Sequence, residues 1–387
     1  MKRAVVLGNK RSGLAAAALL ERHGVEVVLV DRDLGNDSDP AILAGADVLV
    51  KSPGVPRSNA LVAAATIPIW SEVELAAHYL PNPIVGVTGT NGKTTTTEWL
   101  GAMIPGAVTA GNVGRAISGV NASPDAWIVC ELSSFQLEDI HSFRPRVAVL
   151  LNLEPDHLDR HRTFEAYRSA KLRIFENQHP DDTAVVPHGF AALPGRAARV
   201  EFSAEDELPA EPGLPGRHNR ENAAAAVAAA RAAGVSEESI AAALRTFPGV
   251  PHRLELVAEV GGVRYVNDSK ATNAAAARRA LASYAGPLHV ILGGSRKGES
   301  FDELAAEMHG RAYLIGETAD ELATALDLVG VPYERCDDLA TALSAASRAA
   351  RPGEVVLLSP ACASYDQYEN FEERGEDFRR LVQNLTG

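Results

Sequence analysis

The segment Val85-Gly86-Val87-Thr88-Gly89-Thr90-Asn91-Gly92-Lys93-Thr94-Thr95 places glycines, a lysine and a run of hydroxyl side chains directly after the apolar stretch Ile84 to Val87. Glycines let backbone N–H groups close around a polyphosphate, and a helix start just beyond favours anions. In that setting Gly89, Thr90, Asn91, Gly92, Lys93, Thr94 and Thr95 would cradle ATP, with Lys93 on the terminal phosphates and Thr94 on a magnesium ion. Five residues separate Gly86 from Gly92, one more than in the common nucleotide loop. The alternative is a glycine-rich turn with a chance Gly-Lys-Thr. The apolar run before it and the helix-like segment through Leu100 favour the phosphate loop.

Further groups follow apolar runs in the same way. Glu131 comes straight after Trp127–Cys130, where a strand-tip acid is placed to hold magnesium directly or through water; a solvated carboxylate is the other reading. Asn152-Leu153-Glu154-Pro155-Asp156-His157-Leu158-Asp159 brings oxygen ligands and one imidazole to a strand end, against the alternative that His157 is a surface or capping residue. Lys171 is the odd residue of its segment. At about 100° per residue Phe164, Tyr167, Lys171, Ile174 and Phe175 share one helix face. A lysine there either snorkels to water or stays inside, where desolvation lowers its pKa and leaves a nucleophilic amine able to take up CO2. His218-Asn219-Arg220-Glu221-Asn222 opens an alanine-rich helix; Asn219 is either its N-cap or an amide that reads a base. Arg253, after a proline-bounded linker, is either an unpaired surface residue or one that swings over a phosphate. Three polar loops, Asn267–Asn273, Leu292–Gly298 and Ser359–Asp366, follow three strand-like runs and carry two lysines, Lys270 and Lys297. Together they suit a small anionic molecule better than turn duty alone does.

Strands alternating with helices must position these groups, which predicts a mostly parallel α/β fold with functional loops at strand C-termini. The run Ala4–Leu7, the turn Gly8-Asn9-Lys10-Arg11-Ser12-Gly13, an Ala/Leu helix and the run Val25–Val30 ending at Asp31 make a Rossmann-like unit. That turn lacks the middle glycine of a dinucleotide site, which weakens a nicotinamide or flavin reading. Pro81/Pro83 and Phe247–Pro251 read as linkers, giving three expected domains at residues 1–81, 82–249 and 250–387. Residues 187–217, rich in proline, glycine and charge, are expected to be irregular or a short hairpin.

A length of 387 residues accommodates such a plan, and the net charge of −13 leaves no basic field for nucleic acid. No apolar run approaches a membrane span, and the short run after Lys2 and Arg3 is no signal peptide. Three scattered cysteines without metal spacing suit a reducing compartment. The expected setting is the cytoplasm, with the chain acting as a monomer.

Taken in order, GTNGKTT, Glu131, Asp156-His157, Ala170-Lys171-Leu172-Arg173, His218-Asn219 and His252-Arg253 resemble the Mur ligase family of peptidoglycan synthesis over nearly the whole chain. NDSKATN at 267–273 and SPACAS at 359–364 resemble its D-glutamate-adding branch. The resemblance implies that Ser12, Ser52, Gly54 and Asn112 hold the UDP end of UDP-N-acetylmuramoyl-L-alanine. It implies magnesium on Thr94 and Glu131, and a second magnesium near His157 and a carbamylated Lys171. It places Asn219 and Asn222 near adenine, Arg253 and Asp268 near phosphate and ribose, and Lys270, Thr272, Lys297, Ser364 and Phe371 on D-glutamate. Lys10, Arg11 and Tyr365 depart from the family pattern, as does the short 187–217 region. The implied reaction activates a carboxylate as an acyl phosphate, which the amine of D-glutamate then attacks. Lys93, His157, Lys171 and Arg253 are its expected catalytic residues. A nicotinamide oxidoreductase built on residues 4–31 and a non-catalytic UDP-sugar sensor are the competing readings.

Overall fold

The computed structural model describes residues 1–214, 216–296, 298 and 300–385, except the side chain of Asp159. The chain divides into two compact units, Met1–Phe247 and Pro248–Gly387.

The first unit carries two sheets, all of whose strands run parallel. One is built from β1 (Arg3–Leu7), β2 (Glu26–Val30), β3 (Val48–Lys51) and β4 (Ile69–Ser71), in the order β2-β1-β3-β4. The other contains β5 (Ile84–Thr88), β6 (Val108–Gly111), β7 (Ile128–Glu131), β8 (Val147–Leu150), β9 (Thr183–Pro187) and β10 (Ala198–Phe202), in the order β10-β9-β8-β5-β7-β6. Parallel strands covered on both faces read as continuous apolar runs, and β5, β7 and β8 are buried throughout. Chain order reverses on either side of β5, the switch point outside which open α/β sheets bind ligands. The loops leaving β5, β7 and β8 begin at Gly89, Leu132 and Leu151 respectively.

Two helices cover the phosphate-loop side of this sheet. Lys93–Met103 buries Trp99 and Leu100 completely, and Trp99 stacks on Phe247 with ring centroids 5.1 Å apart. Arg217–Ala232 buries Ala223 to Val227. Small side chains let that helix approach closely, which explains its alanine run.

The second unit has one sheet of β11 (Glu255–Val260), β12 (Val263–Asn267), β13 (Leu288–Gly293), β14 (Gly310–Ile315), β15 (Tyr333–Arg335) and β16 (Val355–Leu358), in the order β11-β12-β16-β13-β14-β15. Only β11 is antiparallel. The three polar loops therefore leave three neighbouring strands, β12, β16 and β13.

The parallel α/β class matches the sequence-based expectation, with differences in detail. Short strands β4, β6 and β15 lack a run long enough to be read from sequence. Residues 187–217 contain β10, which pairs parallel to β9 and so forms no hairpin. Its first four residues are exposed and only Phe202 is buried, so it carries little apolar signal. Among the described residues no helix is long and apolar enough to cross a membrane.

Candidate active site

Gly89 has φ 154° and Gly92 φ 82°, conformations that a side chain would strain. A Cβ on Gly92 would stand 2.2 Å from Asn222 Oδ1, so the absent side chain also lets the second helix touch the loop. Gly92 occupies the N-cap of Lys93–Met103 without a side-chain cap, leaving the first-turn N–H groups facing the loop. The residues after β8 hold the loop in shape. Thr90 N donates to Asn152 O (3.1 Å) and Asn91 N to Asn152 Oδ1 (2.8 Å). Asn91 Nδ2 donates to Glu154 Oε2 (2.9 Å), and Thr90 Oγ1 lies 3.0 Å from the Tyr167 hydroxyl. Lys93 Nζ folds back to Gly89 O (3.0 Å) and Thr90 O (2.9 Å).

Lys171 settles its two sequence readings in favour of the interior. It is 2% exposed, and Nζ donates to Gly89 O at 2.7 Å and approaches Thr88 Oγ1 at 3.5 Å. Burial, reinforced by the positive charge of Lys93, pulls its pKa down to about 7 against the opposing fields of Asp156 and Glu131. A large share of these amines is neutral at physiological pH.

Glu131 is 2% exposed. Its Oε1 accepts from Asn112 Nδ2 at 3.0 Å, while Oε2 is buried with no hydrogen-bond partner. An orphaned carboxylate oxygen beside a phosphate loop suits a hard cation. Thr94, in the first turn of the loop's helix, is 6% exposed. Among the described residues no three His, Cys, Asp or Glu side chains gather as a ready metal cage. A cation here would thus depend on Glu131, Thr94 and the phosphates themselves. His157 sits at φ 52° in the N-cap position of Leu158–His161 and makes no side-chain capping bond. Its imidazole is about half exposed, 3.6 Å from Asp156 and 4.9 Å, ring to ring, from Phe135.

Asn112 follows β6 at the edge of the central sheet, and Ser52 follows β3 of the first sheet. Strand β3 lies beside β1, which brings Ser52 against the first loop. A Cβ on Gly8 (φ 118°) would stand 2.3 Å from Ser52 Oγ, and one on Gly13 would stand 1.7 Å from Gly8 O. Ser52 Oγ is buried and has no partner. Arg11 Nη2 donates to Asn112 O at 2.7 Å, giving the unusual basic residue of the first loop a definite task. Ser12 lies in the first turn of Arg11–Arg22, and Gly54 is exposed in the loop after β3. Arg160 donates to Pro53 O (2.6 Å) and Val55 O (3.1 Å) on either side of Gly54.

One sequence reading is corrected. The cap of the alanine-rich helix is Gly216, and Asn219 lies inside the first turn, so it is not the N-cap.

In the second unit Asp268 is 6% exposed; it accepts from Ser359 Oγ (2.8 Å) and Leu254 N (3.2 Å). Burial raises its pKa to about 7, against the lowering effects of Ser359 and Arg253. Arg253 Nε is buried without a partner. The Lys270 ammonium lies 5.8 Å from the Phe371 ring, and Ser364 is 2% exposed. Thr272 N bonds to Lys270 O (2.9 Å). Lys297 lies outside the described residues.

Sequence reasoning missed Tyr167 and Arg160. Tyr167 was visible as a stripe residue whose hydroxyl needed a buried partner. Nothing in the sequence pointed Arg160 at the loop around Gly54.

A glycine-rich loop at the switch point of a parallel sheet, in a chain that also carries a Rossmann-like sheet and a further α/β unit, defines the fold class. The solved UDP-N-acetylmuramate–alanine ligase of Thermotoga maritima shares this fold, with TM-score 0.62, 18% identity and 99% of each chain covered. The family descriptions "Mur ligase middle domain" and "Mur ligase, glutamate ligase domain" match residues 87–199 and 252–362. The chain belongs to the Mur ligase family. Proteins called UDP-N-acetylmuramoylalanine–D-glutamate ligase in Acidobacterium capsulatum and Anaeromyxobacter dehalogenans are 41% and 44% identical to it. Each match covers 98% of this chain, and 96% and 97% of those proteins respectively. The first of these alignments spans 443 positions against 387 residues here, so this chain is the shorter of the pair.

Proposed function

We propose that this chain is an ATP-dependent ligase that joins D-glutamate to UDP-N-acetylmuramoyl-L-alanine in cytoplasmic peptidoglycan precursor synthesis. The observation that carries this reading is the full-length similarity, 41% and 44%, to two ligases of that name. The geometry supports it: a phosphate loop, a strand-tip acid with an open oxygen, a buried neutralisable amine and polar loops on neighbouring strands. In this reading residues 1–81 read the UDP end, 82–249 bind ATP and 250–387 hold the amino acid.

The substrate carboxylate attacks the γ-phosphate of ATP and becomes an acyl phosphate; ADP leaves. The amine of D-glutamate then adds to the acyl carbon, and phosphate departs with the electron pair of the broken C–O bond. Lys93 exchanges its two loop carbonyls for phosphate oxygens, offsetting the charge of carboxylate meeting triphosphate. Backbone N–H groups of Lys93, Thr94 and Thr95, in the uncapped first turn of the helix, hold the phosphates in line, and Asn219, Asn222 and Arg253 orient the nucleotide. Glu131 and Thr94 would hold magnesium, with a second ion near His157; bound there, these ions would supply Lewis-acid charge stabilisation. Lys171, whose buried amine has its pKa pulled down to about 7, is suited to carbamylation by CO2, which would turn it into a metal-binding anion. Ser52, Ser12, Gly54 and Asn112 hold the nucleotide-sugar end, the orphaned Ser52 hydroxyl bonding to its pyrophosphate. Lys270, Thr272, Lys297, Ser364 and Phe371 hold D-glutamate.

Phosphate release from ATP with UDP-N-acetylmuramoyl-L-alanine tests this directly. Release should depend on D-glutamate and not on L-lysine or meso-diaminopimelate. Equal release with those amino acids would sink the substrate assignment, and tight NAD binding without ATP turnover would favour an oxidoreductase.

A further inference from the structure

Arg374 is 1% exposed and lies one turn after Phe371 on the helix Phe371–Gln383. Four of its five N–H groups are engaged, with a bond from each of the three guanidinium nitrogens. Nε donates to Ser269 Oγ (3.0 Å), Nη2 to Ser269 O (2.9 Å) and Cys362 O (3.1 Å), and Nη1 to Ala363 O (3.3 Å). The acceptors lie on two loops, one after β12 and one after β16. In each loop a contact falls immediately before a residue assigned above to the amino acid, Lys270 in the first and Ser364 in the second. Ser269 Oγ passes the contact on to Phe371 O at 2.8 Å. Gly294, at φ 146°, leaves room for the fork, since a Cβ there would stand 3.2 Å from Arg374 Nη1.

Every one of these acceptors is neutral. The acid that acts on Arg374 from further away, Asp366, is itself held by Ser295 Oγ and the Glu317 N–H, each at 3.2 Å. A guanidinium buried among carbonyls is costly, and an apolar side chain of similar shape would fill the space at less expense. Carbonyl oxygens satisfy its N–H groups without cancelling its charge. That charge persists at neutral pH, because burial brings the pKa down only to about 10.

We propose that Arg374 is a positioning and specificity residue for the incoming amino acid. Its fork fixes the spacing of the Lys270 and Ser364 loops, and its uncancelled charge tunes them for a dicarboxylate over a neutral side chain. This rests on the ligase reading above, and the test separates the two.

The experiment compares the wild-type chain with Arg374→Lys, Arg374→Met and Ser269→Ala, measuring KM for D-glutamate and for ATP and the kcat/KM preference for D-glutamate over D-glutamine. Arg374→Lys keeps the charge and loses the fork, so KM for D-glutamate should rise about tenfold with KM for ATP within about twofold. Arg374→Met should raise it about a hundredfold and narrow the preference for D-glutamate. Ser269→Ala, which removes one acceptor, should raise it by about threefold. If Arg374→Met does not fold, the other two variants decide. An unchanged KM for D-glutamate in both, or an equal rise in both KM values, overturns the clamp while leaving the ligase reading intact. A wild-type chain that releases no D-glutamate-dependent phosphate overturns the ligase reading, and the clamp with it.

Discussion

Lys171 and Arg374 are both buried to within 2% of full exclusion, and neither forms an ion pair within 4.0 Å among the described residues. They meet the same cost in opposite ways. Lys171 can shed its proton, and burial pulls its pKa from 10.5 to about 7. Arg374 is pulled from 12.5 to only about 10 and stays charged. Lys51 differs from both in geometry: it is 1% exposed but has Asp139 Oδ2 at 3.0 Å. Burial without an opposite charge in contact thus makes a reactive amine from lysine and a fixed positive post from arginine. The first suits chemistry at the phosphate loop, the second suits holding loops.

The sharpest way to break this contrast is to exchange the two residue types. Lys171→Arg cannot lose its proton and should be as inactive as Lys171→Ala, each lowering kcat for phosphate release by about a thousandfold. Acetate or formate should restore part of the activity of Lys171→Ala if a carbamate is needed there. Full activity in Lys171→Arg would show that the neutral amine has no role.

Much of this was readable from sequence, where a residue violated its local pattern. Lys171 stood out because it interrupted an apolar stripe, and Gly92-Lys93-Thr94 because of its strand and helix flanks. Arg374 did not stand out. It lies in Phe371-Glu372-Glu373-Arg374-Gly375-Glu376-Asp377, a stretch that reads as a solvated helix face, and it is held instead by the loops that follow β12 and β16. Ser52 is a similar case: its contact with Gly8 depends on β3 pairing with β1, which no local pattern reveals. Strands β4 and β15 span three residues each, too few to show a period. Non-local pairing is what the sequence hides.

A smaller effect sharpens the contrast through stability. The folded pKa of Lys171, about 7, lies below its ordinary 10.5. Between those values the unfolded chain binds a proton that the folded chain does not, so this residue makes stability rise with pH across that window. Below about pH 7 both states are protonated and the whole penalty is present, at most about 5 kcal/mol. Lys171→Met should therefore unfold at higher denaturant than wild type at pH 6, the gap shrinking toward pH 10. A constant gap would mean that the lysine stays charged when folded. Arg374→Met should show no such slope between pH 6 and about pH 9, below its folded pKa of about 10, because arginine is protonated there on both sides of unfolding.

Asp268 tests whether the rule holds for an anion. Its folded pKa of about 7 lies above the ordinary 3.8, because burial outweighs the Ser359 hydroxyl and the field of Arg253. Between those values the folded chain binds the extra proton, so the residue's contribution is intact below about pH 4 and is lost as pH rises through 7. Asp268→Asn keeps the shape and one carbonyl acceptor for Ser359 without the titration. Its stability relative to wild type should climb by up to a few kcal/mol between pH 4 and 8 in chemical denaturation without nucleotide. The same substitution should weaken ATP binding by about tenfold if the ionised carboxylate meets the nucleotide as the family resemblance implies. A flat stability difference would show that Asp268 is ionised throughout, held by Arg253 as Lys51 is held by Asp139. In that case the partner, and not burial, would set the charge in the second unit.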